Sequence, residues 1–217
     1  MALALMTKIN ERITLIHLSD LDSNIYLLGK DTVIDSGTGS NFVRLYDIFK
    51  RLKLDFDLIK NVVNTHMHWD HIGGNGFFAN AKIHIHEKDA SVLEKGDAGM
   101  SNASYFSGKM HPMKVAAKLK DGDDIFGFKV MHTPGHTQGS ICLFDPKEKI
   151  LISGDTLFAD GVGRTDLAGG SEVDMSVSLE KLSKLKIEKI LPGHGEPVLK
   201  GADKAIKNIL TSVDDDV

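Results

Sequence analysis

The residues of this chain best suited to chemistry gather in one string, Thr65-His66-Met67-His68-Trp69-Asp70-His71. Three imidazoles and a carboxylate in so short a span suit zinc, iron, manganese or a similar divalent ion. The string follows the apolar pair Val62-Val63 and leads into Gly73-Gly74. A loop at a strand end can aim successive side chains in different directions, and glycines let backbone approach a crowded centre.

Three other places repeat the same order of apolar run, tight turn and metal-capable residue. Phe128–Met131 leads to His132-Thr133-Pro134-Gly135-His136, Ile150-Leu151-Ile152 to Ser153-Gly154-Asp155, and Lys189-Ile190-Leu191 to Pro192-Gly193-His194-Gly195. Five of the ten histidines and two aspartates thus form one candidate donor set: His66, His68, Asp70, His71, His136, Asp155 and His194. Seven donors exceed the four of a closed structural zinc site and match two ions with open positions, a catalytic arrangement.

The elements that must position these residues are legible in outline. Ile13–Leu18, Asn24–Leu28 and Thr32–Asp35 read as an antiparallel meander separated by polar turns. Apolar residues spaced by three and four from Phe42 to Leu52 predict a helix ending near Lys53. Ile59–Thr65, Lys82–His86, Ile125–His132, Ile141–Phe144, Ile150–Ser153 and Glu188–Leu191 read as strands, with helices over Asp89–Leu93, 171–185 and Ala202–Leu210. Residues 97–118 are rich in Gly, Ser, Asn, Met and Lys and read as a long excursion of the kind that covers a site, with helix expected after Pro112. Meanders preceding helices predict an α/β protein built on sheets. No linker is evident, so 1–217 reads as one domain, with 214–217 a frayed acidic tail.

Composition narrows the function classes. Twenty-six basic against 30 acidic residues give a net charge of −4, so no global basic field recruits nucleic acid. The sole cysteine, Cys142, excludes a disulfide framework and reads as a small buried hydrophobe. No run approaches the ~18 apolar residues of a membrane span, and Met1–Met6 is short for a signal-peptide core, so a cytoplasmic protein is expected.

The motif set resembles the metallo-β-lactamase superfamily, and within it the glyoxalase II-like hydrolases related to hydroxyacylglutathione hydrolase. The likeness rests on H-x-H-x-D-H, Thr133-Pro134-Gly135-His136-Thr137, Ser153-Gly154-Asp155-Thr156 and Pro192-Gly193-His194-Gly195 in the family's order, with Gly163-Arg164-Thr165-Asp166 pointing to the glyoxalase II and persulfide dioxygenase branch. The resemblance implies a four-layer αββα sandwich, two mixed sheets flanked by helices. It also implies that His66, His68 and His136 hold one ion, that Asp70, His71 and His194 hold a second, and that Asp155 bridges them. Zinc is the first expectation for both ions, with iron or manganese as alternatives.

The expected activity is thioester hydrolysis by a metal-bridging hydroxide that Asp70 orients, with a small-molecule thioester as partner. A thiolate of pKa about 8.5 departs without a strong general acid. Glyoxalase II enzymes carry a helical C-terminal glutathione-binding region; 23 residues follow His194 here, so looser specificity is expected. A persulfide dioxygenase using a single iron on His66, His136 and Asp155 is the rival from another class, and a lactonase is a third reading. Neither nucleic acid nor membrane is an expected partner, and the chain is expected as a monomer or small homo-oligomer.

Other residues receive blander readings. Arg164 and Asp166 order a loop by an ion pair or touch substrate, and Tyr105 and Lys109 lie in the excursion with the same two options. His84 and His86 share one strand face and read as solvent-facing or hydrogen-bonded. His132 reads as a hydrogen-bonded strand residue and Trp69 as packing, while His17 and His111 lack companions.

Overall fold

Short β-branched and leucine-rich runs fold back on one another through the first part of the chain. β1 (Met6–Lys8), β2 (Ile13–Ile16), β3 (Ile25–Leu28) and β4 (Thr32–Ile34) pair antiparallel in sequence order. The chain then crosses through α1 (Phe42–Arg51) and returns as β5 (Asn61–Val63), parallel to β4. Leu45, Ile48 and Phe49 form the buried stripe of α1 and pack against Ile16, Ile25, Val33 and Val62 of the sheet. The helix stops where Lys53 takes a left-handed φ of 55° and its N–H, with that of Leu54, bonds the Lys50 and Phe49 carbonyls at 3.0 and 2.9 Å.

A single helical turn, α2 (Trp69–Ile72), follows β5, and β6 (Lys82–His86) runs parallel to β5. After α3 (Glu87–Lys95) the chain wanders to β7 (Val115–Leu119), and the sheet reads β1-β2-β3-β4-β5-β6-β7. The second sheet comprises β8 (Asp124–Ile125), β9 (Phe128–His132), β10 (Ile141–Asp145) and β11 (Ile150–Gly154), all antiparallel. α4 (Glu172–Ser183) leads to β12 (Lys189–Pro192), parallel to β11, and α5 (Ala202–Asp215) follows. Met175, Leu179 and Leu182 of α4 bury against Cys142, Leu151 and Ile190.

The computed structural model describes residues 5–215, and contacts sort the chain into two compact units. The first comprises Met1–Ile85 and Ala90–Lys118, the second His86–Asp89 and Leu119–Val217. The α/β class and the two mixed sheets flanked by helices are as expected.

Four expectations need correction. β1 lies where the sequence suggested only an apolar start, because Met6–Lys8 pairs with Thr14–Ile16. The expected strand 125–132 is a hairpin: Phe126 and Gly127 both take positive φ, 49° and 80°, and turn the chain so that Ile125 faces Phe128. No helix follows Pro112; the only helical piece among residues 97–118 is a 3-10 turn, Ala103–Phe106, and strand β7 follows from Val115. α5 continues past Leu210 to Asp215 and so takes in part of the expected tail; residues 216 and 217 lie outside the described residues. Among the described residues no helix is long and apolar enough to cross a membrane.

Candidate metal centre

Every candidate donor stands just beyond the C-terminal end of a strand. In the first unit β5 ends at Val63 and passes through Asn64 and Thr65 into His66. Asn64, with Ser36 and Asn75, holds this loop: Asn64 Nδ2 and Ser36 Oγ both donate to the His71 carbonyl, at 3.2 and 3.0 Å. The first N–H of α2, that of Trp69, donates to the Ser101 carbonyl at 2.8 Å. A histidine at the start of a helix and an aspartate and histidine within its first turn therefore project from a backbone pinned on several sides.

The side chains are oriented by a buried carboxylate that the sequence reading missed. Asp35, at the end of β4, accepts from the Thr65 backbone N–H at 2.8 Å, from Thr65 Oγ1 at 2.8 Å and from His71 Nδ1 at 2.8 Å. Thr65 Oγ1, its proton committed to Asp35, accepts from His66 Nδ1 at 3.1 Å. These acceptors assign the Nδ1–H tautomer to both rings and present Nε2 as the lone-pair nitrogen. His66 Nε2 lies 3.1 Å from His68 Nδ1, and His71 Nε2 lies 3.8 Å from Asp70 Oδ2. All three imidazoles are buried, whereas the Asp70 side chain is 15% exposed. The only sequence signal for Asp35 is a carboxylate ending an apolar strand ahead of Ser36-Gly37.

In the second unit the three donors come from the ends of β9, β11 and β12. His136 Nδ1 donates to the Arg164 carbonyl at 2.7 Å, which again leaves Nε2 as the lone-pair nitrogen. Asp155 Oδ2 stands 3.6 Å from His136 Nε2 and 3.6 Å from His194 Nε2. The loops are tied together: Thr133 Oγ1 meets Thr156 Oγ1 at 3.0 Å, and the Gly193 N–H donates to the Gly154 carbonyl at 2.7 Å. Thr137, beside His136, donates its hydroxyl to buried Asp89 at 2.8 Å. Gly163 is required beside this set, because a Cβ there would meet the Asp155 carbonyl oxygen at 1.8 Å and His136 Nδ1 at 3.1 Å.

Apart from the 3.1 Å approach of His66 Nε2 to His68 Nδ1, which is a hydrogen-bond distance, these separations fit an ion better than they fit hydrogen bonds. Gaps of 3.6–3.8 Å exceed hydrogen-bond range. Nitrogen ligands about 2.0–2.1 Å from a tetrahedral zinc sit about 3.3 Å from one another, and wider angles give longer gaps. Three rings held through Nδ1 by a carboxylate, a hydroxyl and a carbonyl reproduce the outer support that metal-binding histidines receive. The donor chemistry of each half therefore fits a divalent cation.

The model of the metallo-beta-lactamase superfamily matches residues 18–194, most of the chain. The chain belongs to that superfamily. Its similarity extends to the probable metallo-hydrolase MJ0888 of Methanocaldococcus jannaschii, 36% identical over 80% of this chain and 88% of that protein. The acyl-coenzyme A thioesterase MBLAC2 of Homo sapiens is 31% identical over 79% of this chain and 72% of its own length. Among solved structures, TTHA1623 in a di-iron-bound form superposes with a TM-score of 0.72 at 29% identity, covering 84% of this chain and 92% of that one. Two mixed sheets flanked by helices are thus the metallo-β-lactamase fold.

The remaining site expectations separate. Arg164 and Asp166 form a two-pronged ion pair, Nε to Oδ1 at 2.9 Å and Nη2 to Oδ2 at 2.8 Å, exposed on the loop whose Arg164 carbonyl supports His136. Tyr105 is 82% exposed on the 3-10 turn, with no packing role evident in that figure. Lys109 borders a groove beside Trp69. His86 is buried, so the solvent-facing option is wrong for it; its ring stacks on His132, 4.0 Å apart and 8° from parallel, and burial foremost lowers its pKa to about 4. His132 is hydrogen-bonded as expected, through Nε2 to the Gln138 carbonyl at 2.9 Å.

Proposed function

We propose that the chain is a binuclear metal-dependent hydrolase of thioesters. In this reading the two half-sets serve one pair of ions: His66 and His68 with His136 for the first, Asp70 and His71 with His194 for the second, and Asp155 for both. The observation that carries it is the single oxygen Asp155 Oδ2 standing equally, at 3.6 Å, from His136 and His194, one donor of each set. A carboxylate so placed suits a bridge between two ions, whereas a mononuclear iron site leaves His194 without a task.

A bound ion pair supplies Lewis acidity, polarising a carbonyl and lowering the pKa of bound water towards about 7. The chain's own part is orientation and proton handling. Asp35 and Thr65 fix the Nδ1–H side of the His66 and His71 rings and so aim their Nε2 atoms. Asp70, partly open to solvent, orients the attacking water and takes its proton. A thiolate leaves without protonation, so the site needs no further acid. Similarity to an acyl-coenzyme A thioesterase and to a di-iron-bound structure supports the same reading. A small thioester, of an acyl-coenzyme A or hydroxyacyl-glutathione, is the substrate class, and zinc, iron or manganese the metal.

The test is metal content per chain, measured on protein purified without added metal, alongside thiol release from both thioester classes. Two ions per chain and thiol release abolished by chelation are expected. One iron per chain with oxygen consumed on glutathione persulfide would replace the hydrolase by the dioxygenase.

A further inference from the structure

A groove of about 420 Å³ opens on the first unit, beside α2 and the expected excursion and built wholly from that unit's residues. Its apolar surface comes from Trp69, Phe78, Ile83 and Met113, and its other wall carries Lys109, His111 and Lys114. No acidic residue lines it, although the chain as a whole carries a net charge of −4. The volume falls in the range of small-molecule sites, which are mostly apolar with a few polar anchors.

The cationic wall is held in place from several directions. Met113 N–H donates to the Leu93 carbonyl at 2.9 Å, and Gly108 N–H to the Ala103 carbonyl at 2.8 Å. Gly108 lies so close to the indole of Trp69 that a Cβ would meet Cε2 at 2.4 Å; only glycine lets the segment approach this wall. Met113 Sδ accepts from Asn75 Nδ2 at 3.7 Å, which ties it to the loop after α2. Lys109 and Lys114 are exposed, and both line the groove at the two ends of this anchored stretch.

We infer that this groove binds a small alkyl carboxylate, its chain against Trp69, Phe78 and Met113 and its anionic end between Lys109 and Lys114. Charge complementarity selects the sign of the ligand, and the apolar floor selects the tail. The inference is independent of the reaction proposed above, since none of the candidate metal donors lines the groove. If that reaction holds, the ligand belongs to the class that acyl-thioester hydrolysis releases.

Trp69 is the chain's only tryptophan, so its emission reports directly on the groove. Titration with decanoate should shift or quench that emission saturably, and decyltrimethylammonium, with the same tail and opposite charge, should bind at least tenfold more weakly. The double variant Lys109→Glu, Lys114→Glu should weaken decanoate at least tenfold, and Ala79→Phe, which fills the groove without changing charge, should weaken it as well. A chelator should leave the decanoate affinity unchanged. An unsaturable response, equal affinity for the two amphiphiles, or loss of binding on chelation would overturn the inference, the last by assigning the carboxylate to the metal donors.

Discussion

Asp35 shows how one residue outside a donor motif can decide what the motif does. Its carboxylate receives three hydrogen bonds, two from Thr65 and one from His71, while its own backbone sits at a left-handed φ of 58°. Such a conformation is uncommon outside glycine and is tolerated best by Asp and Asn. Asp35→Asn retains shape and backbone but replaces one acceptor oxygen by an amide that cannot accept from His71 Nδ1. Loss of outer support of this kind lowers metal affinity by about 10–100-fold. Competition against a chromophoric chelator should show a loss in that range, with circular dichroism unchanged; wild-type affinity would mean that packing alone orients His71.

At the scale of loops and strands, the support of His136 comes from backbone. The Arg164 carbonyl holds its Nδ1, and Gly163 allows that loop to lie against Asp155. The Arg164 side chain instead pairs with Asp166 while both remain 67% exposed, and a pair so open to water is screened and adds little to stability. Arg164→Ala should therefore change the melting temperature little and leave bound metal in place; a raised KM for thioester with unchanged kcat would reveal substrate contact. Gly163→Ala should lower stability by about 1–3 kcal/mol, the usual range for forcing atoms into a packed site, and release metal. Thermal melts and metal analysis on the two variants distinguish the backbone role from the side-chain role.

For the molecule as a whole, the clearest acid liability lies outside the candidate donors. His86 is buried against His132, and burial first and the neighbouring imidazole second bring its pKa down to about 4. Unfolded, the ring titrates at about 6.5, so between those values the unfolded chain binds the extra proton. Stability is then full above about pH 6.5 and is lost progressively as pH falls towards about 4. His86→Phe removes the proton-binding group while keeping a ring over His132. Urea midpoints measured with chelator present should fall less steeply over that window for the variant than for wild type; parallel curves would assign the acid sensitivity to other groups.

How much of this was legible beforehand follows from the range of the interactions. α1 was readable because its apolar residues keep helical spacing, and the candidate donors because H-x-H-x-D-H and three strand-end turns carry chemistry within a few residues each. The fold class and the family pattern followed from the same local signals. Interactions between distant segments stayed hidden: β1 is a strand only because Thr14–Ile16 pairs with it, and Phe126 turns the chain through a positive φ that its side chain does not announce. Asp35 acquires its role from Thr65 and His71, 30 and 36 residues away, and Arg164 supports His136 through a carbonyl that every residue type possesses. Residue type and spacing determine which groups can bind a cation; which hydrogen bond fixes each ring is decided by tertiary structure, because those partners meet only after the sheets have formed.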